Sequence, residues 1–161
     1  MWIAMFRKIL EVLPLVALVS VCAAPAAVAA PGDYDADPAG GGCQYVPNGA
    51  LGGGDLLNVL FRIRTSGTVP PRLVEVRGTS DTGLFTEFRS GWGGSGYTAA
   101  QFTLRAGDFG RFHVITIVVD PDDEFAETDE ANNRVTARLT LPSPRPTSTI
   151  APLPCTIVRG A

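Results

Sequence analysis

The feature that most constrains the fold is a two-residue alternation of apolar and polar side chains, which returns in four separate segments of the chain. An alternation of this period places the apolar side chains on one face of an extended strand and the polar ones on the other. Each segment is therefore predicted to be a half-buried strand. The predicted core positions are Val59, Phe61, Ile63, Val74, Val76, Ile115, Ile117, Val119, Val135, Ala137, Leu139 and Leu141.

Two weaker runs, 84–90 and 101–107, show the same alternation, and turn-forming Gly, Pro, Ser and Asp residues separate the runs. No helix-length amphipathic segment interrupts them. Many short strands without crossover helices predict an antiparallel arrangement. We therefore predict an all-β fold, an immunoglobulin-like antiparallel β-sandwich of about seven strands, with "CTIV" at 155–158 supplying the seventh.

The chain begins with Arg7 and Lys8, an apolar run over 12–22 and the small-residue stretch "AAPAAVAAP". This order is typical of a secretory signal peptide, here residues 1–29. The apolar run is shorter than the roughly 20 residues that a membrane-spanning helix needs. We expect a secreted or cell-envelope protein with no stable membrane insertion after cleavage, and the sequence leaves open whether the leader is cleaved or anchors the chain.

Three further segments follow the leader. Residues 30–54 are rich in Gly and Asp without apolar periodicity, which predicts a flexible arm. Residues 55–142 are the predicted sandwich, and residues 143–161 are a proline-rich C-terminal tail. Cys43 and Cys155 are expected to form a disulfide that ties the tail to the body, because an exported protein meets an oxidising environment.

The overall charge limits the partners. The chain has 13 Lys and Arg against 16 Asp and Glu, a formal net charge of −3 at pH 7. A mildly acidic chain is repelled by phosphate backbones and by anionic lipid headgroups. The composition therefore argues against nucleic acid and against an anionic membrane as the partner.

Seven carboxylates crowd into residues 120–130, and two asparagines follow shortly after. The simplest interpretation is a connection between two strands. Pro121 is expected to hold Asp120 extended and so to end the strand, with residues 120–123 forming a type I turn. Asn132 and Asn133 tolerate the left-handed backbone conformation and are expected to reverse the chain.

Two more residues of this loop have predicted roles. Phe125 is its only large apolar side chain and is expected to fold back onto the end of the core. Thr128 is expected to cap one short helical turn, in which Asp129 and Glu130 lie close to the N-terminus. Each of these roles is structural.

A calcium site is the alternative interpretation of the loop. Asp120, Asp122 and Glu124 match positions 1, 3 and 5 of a helix-loop-helix calcium loop. Position 6 is Phe125 instead of glycine, and position 12 is Ala131 instead of glutamate. The sequence therefore predicts no metal or other cofactor, with a looser calcium site as the alternative.

Catalysis is not expected from this inventory of residues. His113 is the only histidine, and its place at the start of a strand is typical of a surface or edge residue. The sequence has neither a G-x-S-x-G stretch nor a phosphate-binding glycine loop. We therefore predict that the protein is not an enzyme.

Residues 113–141, "HVITIVVDPDDEFAETDEANNRVTARLTL", resemble the closing signature of the CARDB family, the cell-adhesion-related domain found in bacteria. The shared features are the V-D-P-D step, the acidic residues and the paired asparagines before the last strand. "LNVLFRIRTSGTVP" is similar to the opening strand of that family. The resemblance spans roughly residues 56–142, and it implies an extracellular sandwich module of spacer or adhesion type without catalytic residues.

A binding role is suggested by "FRSGWGGSGYTA", which places Trp92 and Tyr97 in a glycine-rich loop. Exposed aromatic side chains stack on sugars or fill pockets on a protein partner. The other interpretation is that Trp92 simply covers one end of the sandwich. We predict a non-catalytic module that binds an extracellular protein or a surface glycan, with a calcium-stabilised adhesion-type module as the alternative.

Overall fold

The structure, a computed structural model, describes residues 32–47, 54–67, 73–91, 97–146 and 149–160. These residues contain nine β-strands and two one-turn 3₁₀ helices, Ala106–Asp108 and Glu130–Asn132. The strands are β1 (Asp33–Val46), β2 (Asp55–Ser66), β3 (Val74–Ser80), β4 (Phe85–Ser90), β5 (Thr98–Leu104), β6 (Phe112–Val119), β7 (Arg134–Thr140), β8 (Ala151–Leu153) and β9 (Cys155–Arg159).

The strands form two antiparallel sheets, in the orders β5-β2-β1-β8 and β4-β3-β6-β7-β9. The predicted all-β sandwich is therefore confirmed. Six of the first seven strands follow the immunoglobulin-like division, in which the first, second and fifth strands share one sheet and the third, sixth and seventh share the other. The fourth strand, β4, pairs with β3 in the second of these sheets. β8 and β9 then extend one edge of each sheet, so the described residues hold nine strands instead of about seven.

The core lies between the two sheets, and every core position predicted from the alternation is buried. Tight contacts between the sheets explain why one of these strands carries a glycine. A Cβ on Gly78 of β3 would lie only 2.6 Å from Cζ of Phe102, which reaches across from β5. Gly78 thus leaves the space that this large aromatic side chain fills.

The prediction of a flexible arm over residues 30–54 is wrong for its main part, because residues 33–46 form β1 in the interior of a sheet. Tyr34, Ala36, Cys43 and Tyr45 of this strand are buried in the core. The register with β2 shifts between Asp37 and Gly42, where extra residues bulge out of the strand. This bulge breaks the two-residue period, which is why the sequence pattern concealed the strand.

The predicted C-terminal tail is also part of the fold. β8 pairs with β1, and after Pro154 the chain continues as β9, which pairs with β7 in the other sheet. "CTIV" is therefore a strand, as predicted. Cys43 of β1 and Cys155 of β9 form the predicted disulfide, with their Cα atoms 6.0 Å apart. The disulfide links the two sheets near the edge at which β8 and β9 lie.

The predicted signal peptide, residues 1–29, lies outside the described residues. Among the residues that are described, no helix is both long enough and apolar enough to cross a membrane.

Candidate functional site

The acidic loop between β6 and β7 begins with the predicted turn. The backbone N–H of Asp123 donates to the carbonyl oxygen of Asp120 at 3.2 Å, which closes a four-residue turn. Asp120 is not extended, however, because its φ is +52°. Its carboxylate accepts hydrogen bonds from the backbone N–H groups of Glu124 at 3.0 Å and Phe125 at 2.9 Å. These two bonds offset the cost of a left-handed backbone at Asp120, which is only 2% exposed.

Phe125 packs into the core as predicted, with its ring centroid 5.4 Å from that of Tyr34. The 3₁₀ turn that follows is capped one residue later than predicted. The side chain of Asp129, not that of Thr128, accepts a hydrogen bond from the N–H of Ala131 at 3.0 Å. The backbone N–H and the hydroxyl of Thr128 instead both donate to the carboxylate of Asp33 in β1.

The two asparagines reverse the chain without a left-handed conformation, so that part of the prediction is wrong. Asn133 has φ −78° and ψ 7°, while the positive φ angles of the loop belong to Asp120 and Asp123. Asn133 is buried, and its side-chain amide donates to Glu127 at 3.0 Å and to Glu130 at 3.3 Å. The asparagine therefore holds the loop together through its side chain.

Two arginines on the outer face of the five-stranded sheet fasten the start of the loop. The guanidinium of Arg77 donates to both carboxylate oxygens of Asp122, at 3.0 and 2.9 Å. Arg89 binds Glu124 at 2.9 Å. The hydrogen bond from Arg77 holds the pKa of Asp122 below its usual range. Arg77 also bonds to Glu87 of β4 at 2.7 Å, which likewise lowers the pKa of that carboxyl group.

Glu127 joins the middle of the loop to the start of β1. One of its carboxylate oxygens accepts a hydrogen bond from the N–H of Tyr34 at 2.6 Å, and the other accepts from the side chain of Asn133. Burial raises the pKa of Glu127 to about 7, and the nearby charges of Glu130 and Asp120 act in the same direction. The loop thus holds a carboxyl group that titrates near neutrality.

The three carboxylates of the predicted calcium site do not converge on one point. Asp120 caps the backbone of its own loop, Asp122 is paired with Arg77, and Glu124 is paired with Arg89. Across the part of the chain that the structure describes, no group of three or more His, Cys, Asp or Glu residues is arranged to hold a metal ion. A looser calcium site in this loop stays the alternative to the predicted absence of a metal.

His113 is not a surface or edge residue, contrary to the expectation. It lies in β6, between β3 and β7, and is fully buried. Its Nε2 lies 2.9 Å from the carbonyl oxygen of Asp108, so this nitrogen carries the proton and donates. Its Nδ1 forms a hydrogen bond with the hydroxyl of Thr82 at 2.6 Å. Both ring nitrogens are engaged within the fold.

The aromatic pair of the glycine-rich loop is only partly described. Trp92 lies outside the described residues, whereas Tyr97 lies directly before β5 and is 44% exposed. Arg62 of the neighbouring β2 covers the ring, with its guanidinium carbon 4.5 Å from the ring centroid. The same guanidinium donates to the Tyr97 hydroxyl at 2.9 Å. The β1 bulge lies close by, because a Cβ on Gly40 would collide with that hydroxyl.

We call this cluster of Tyr97, Arg62 and Gly40 the Tyr97 platform. The guanidinium of Arg62 both lies over the Tyr97 ring and donates to its hydroxyl. These two contacts fix the orientation of the ring, and part of the ring remains exposed. Sequence reasoning found Tyr97 through the glycine-rich loop but missed Arg62. The signal for Arg62 was its outward position in the alternation of β2, which Asn58 and Arg64 share.

Comparisons with known proteins identify no relative: no family model, no curated protein and no solved structure matches this chain.

Proposed function

We propose that this protein is a secreted or envelope-associated, non-catalytic β-sandwich module that binds another extracellular protein or a cell-surface component. The observation that carries the proposal is the Tyr97 platform. Tyr and Arg are the residue types most often found at the energetic centre of binding interfaces. A tyrosine held by a cation–π contact and a hydrogen bond loses little conformational freedom when a partner covers it.

Three further observations support this proposal. The Cys43–Cys155 disulfide is a feature of proteins that fold in oxidising compartments. The only histidine is buried with both nitrogens hydrogen-bonded, which supports a role in folding instead of proton transfer. The resemblance of residues 113–141 to the CARDB family favours the same extracellular setting.

The test is a retention assay on the surface of the producing cells. The exported protein is compared with the Trp92→Ala/Tyr97→Ala variant and with Phe112→Ala as the matched control. Phe112 is an aromatic residue of the opposite sheet and is exposed to a similar extent. We expect the double variant to fold normally and to be released into the medium, while the control stays on the cells. Equal retention of all three proteins would contradict the proposal.

A further inference from the structure

A groove runs along the open side of the sandwich, between β4 at the edge of one sheet and β5 at the edge of the other. It consists of two depressions with volumes of about 200 and 370 Å³, which share Thr103 as a lining residue. Together these volumes lie in the range of roughly 300–1,000 Å³ that pockets for small ligands occupy. We call the two depressions together the seam groove.

The lining of the seam groove is polar but not charged overall. Hydroxyl and amide side chains of both strands line it: Thr86, Gln101 and Thr103. Arg105 and Asp108, which carry opposite charges, both line one end, and a carboxylate oxygen of Asp108 accepts from the backbone N–H of Arg105 at 2.7 Å. Glu87 is paired with Arg77 at 2.7 Å. The charge of the groove therefore suits a neutral ligand with many hydroxyl groups.

An exposed aromatic ring belongs to the same groove. Phe85 lines the smaller depression and is 59% exposed. Phe88 lines the larger one and is partly buried against the core. A flat apolar ring beside hydrogen-bonding side chains matches the two faces of a sugar, which presents C–H groups on one side and hydroxyls at its rim.

The free backbone edges add further hydrogen-bonding groups. Within the described residues, β4 and β5 are each the last strand of their sheet on this side, so half of their N–H and C=O groups lack a ladder partner. Sugar hydroxyls both donate and accept, and so does an extended peptide. The hydroxyl of Ser90 at the end of β4 lies 3.3 Å from that of Thr98 at the start of β5. This contact joins the two strands beside Ala99, where the lining of the groove ends.

We propose that the seam groove binds a short, neutral oligosaccharide, with Phe85 stacking on one sugar ring and Gln101 and Thr103 bonding to hydroxyl groups. This inference goes beyond the proposed function, because it adds a second binding site whose lining includes no residue of the Tyr97 platform. From Ala99 to Thr103 the groove is about 14 Å long at the rise of a β-strand. A surface of that length extends beyond a single sugar unit.

The test is to follow the backbone amide resonances of the exported, disulfide-bonded protein during titration with sugars. The probes are neutral tri- and tetrasaccharides built from glucose, galactose, mannose and N-acetylglucosamine units. We expect at least one of them to shift the amides of Thr86, Gln101 and Thr103. Phe85→Ala should weaken that binding at least tenfold, whereas Tyr97→Ala should leave it unchanged. A peptide with the β5 sequence "TAAQFTL" is titrated in the same way, to test whether the groove binds an extended peptide instead of a sugar.

The inference is overturned if none of the neutral sugars shifts these amides, or if only the peptide does. The retention assay then separates the two proposals. A protein that is retained through Trp92 and Tyr97 but binds no sugar refutes the seam groove and leaves the proposed function standing. A protein that neither binds sugar nor stays on the cell surface refutes both.

Discussion

The acidic loop and the seam groove make opposite use of their polar groups. In the loop, six of the seven carboxylates between Asp120 and Glu130 have a hydrogen-bond or ion-pair partner within the chain. Around the groove lie the Thr86 and Thr103 hydroxyls, the Gln101 amide and two strand edges that have no ladder partner among the described residues. A dense run of charge in a sequence therefore does not by itself mark a site. Partners that are missing after folding are the better indication.

The largest loss of stability is expected when the buried carboxylate of Asp120 is removed. Asp120→Ala removes the acceptor of two backbone N–H groups and releases the segment that carries Phe125 into the core. Leaving buried donors unpaired costs about 1–3 kcal/mol each, so we expect a loss of about 3 kcal/mol in the free energy of unfolding. Urea denaturation measures it. Asp123→Asn is the control, because Asp123 is exposed and asparagine tolerates its positive φ. A similar loss of stability in both variants would show that the effect does not come from the hydrogen bonds of Asp120.

A smaller effect is expected from the arginine that holds the loop. Arg77→Met keeps much of the apolar stem but removes the partner of Asp122, Glu87 and Glu75. We expect a lower thermal midpoint than in the wild type, with a smaller drop than for Asp120→Ala. Because salt screens exposed ion pairs, the difference should shrink at about 1 M salt. A difference that is independent of salt would show that Arg77 acts through packing and not through charge.

The pH dependence of stability should report on Glu127. Its pKa is about 7 in the folded protein against the ordinary value of 4.5, so the folded state holds the proton more tightly. The stabilisation by this proton is fully present below pH 4.5 and is lost as the pH rises through about 7. Urea midpoints between pH 5 and pH 8 should therefore fall with rising pH. Glu127→Gln should flatten this slope, and Glu124→Gln is the matched control. An unchanged slope in Glu127→Gln would contradict the assignment.

The smallest effect on stability is expected at the Tyr97 platform. Tyr97 is part-exposed and contacts mainly Arg62, so Tyr97→Ala should change the free energy of unfolding by no more than about 0.5 kcal/mol. The same substitution is expected to contribute most of the loss of retention in the double variant. A destabilisation as large as that of Asp120→Ala would assign Tyr97 to the fold instead of to binding.

The strands of the sandwich could be predicted because each carries its own alternation, which needs no knowledge of its neighbours. β1 could not, because the bulge after Asp37 shifts its apolar residues out of step. β8 is too short to show a period, and it is placed by its pairing with β1. The number of strands could therefore not be predicted, because β1 and β8 are placed by pairing with other strands and not by a local sequence pattern.

Some features of the acidic loop could likewise be predicted from the sequence, whereas others, and the seam groove, could not. The turn at Asp120 and the burial of Phe125 follow from local chemistry, so the sequence was sufficient for both. The left-handed conformation of Asp120 was missed because its cause is a pair of hydrogen bonds to residues further along the loop. The seam groove was invisible because its two walls, β4 and β5, are brought together only by the packing of the sheets.

The most direct test of the central claim, that the acidic loop is structural, is a thermal melt of the disulfide-bonded protein in excess calcium and again with chelator. A metal that binds only the folded state must raise the midpoint. Our account predicts the same midpoint in both conditions, because Asp120, Asp122 and Glu124 are already bound to partners within the chain. A calcium-dependent rise of several degrees that Asp120→Ala abolishes would contradict it.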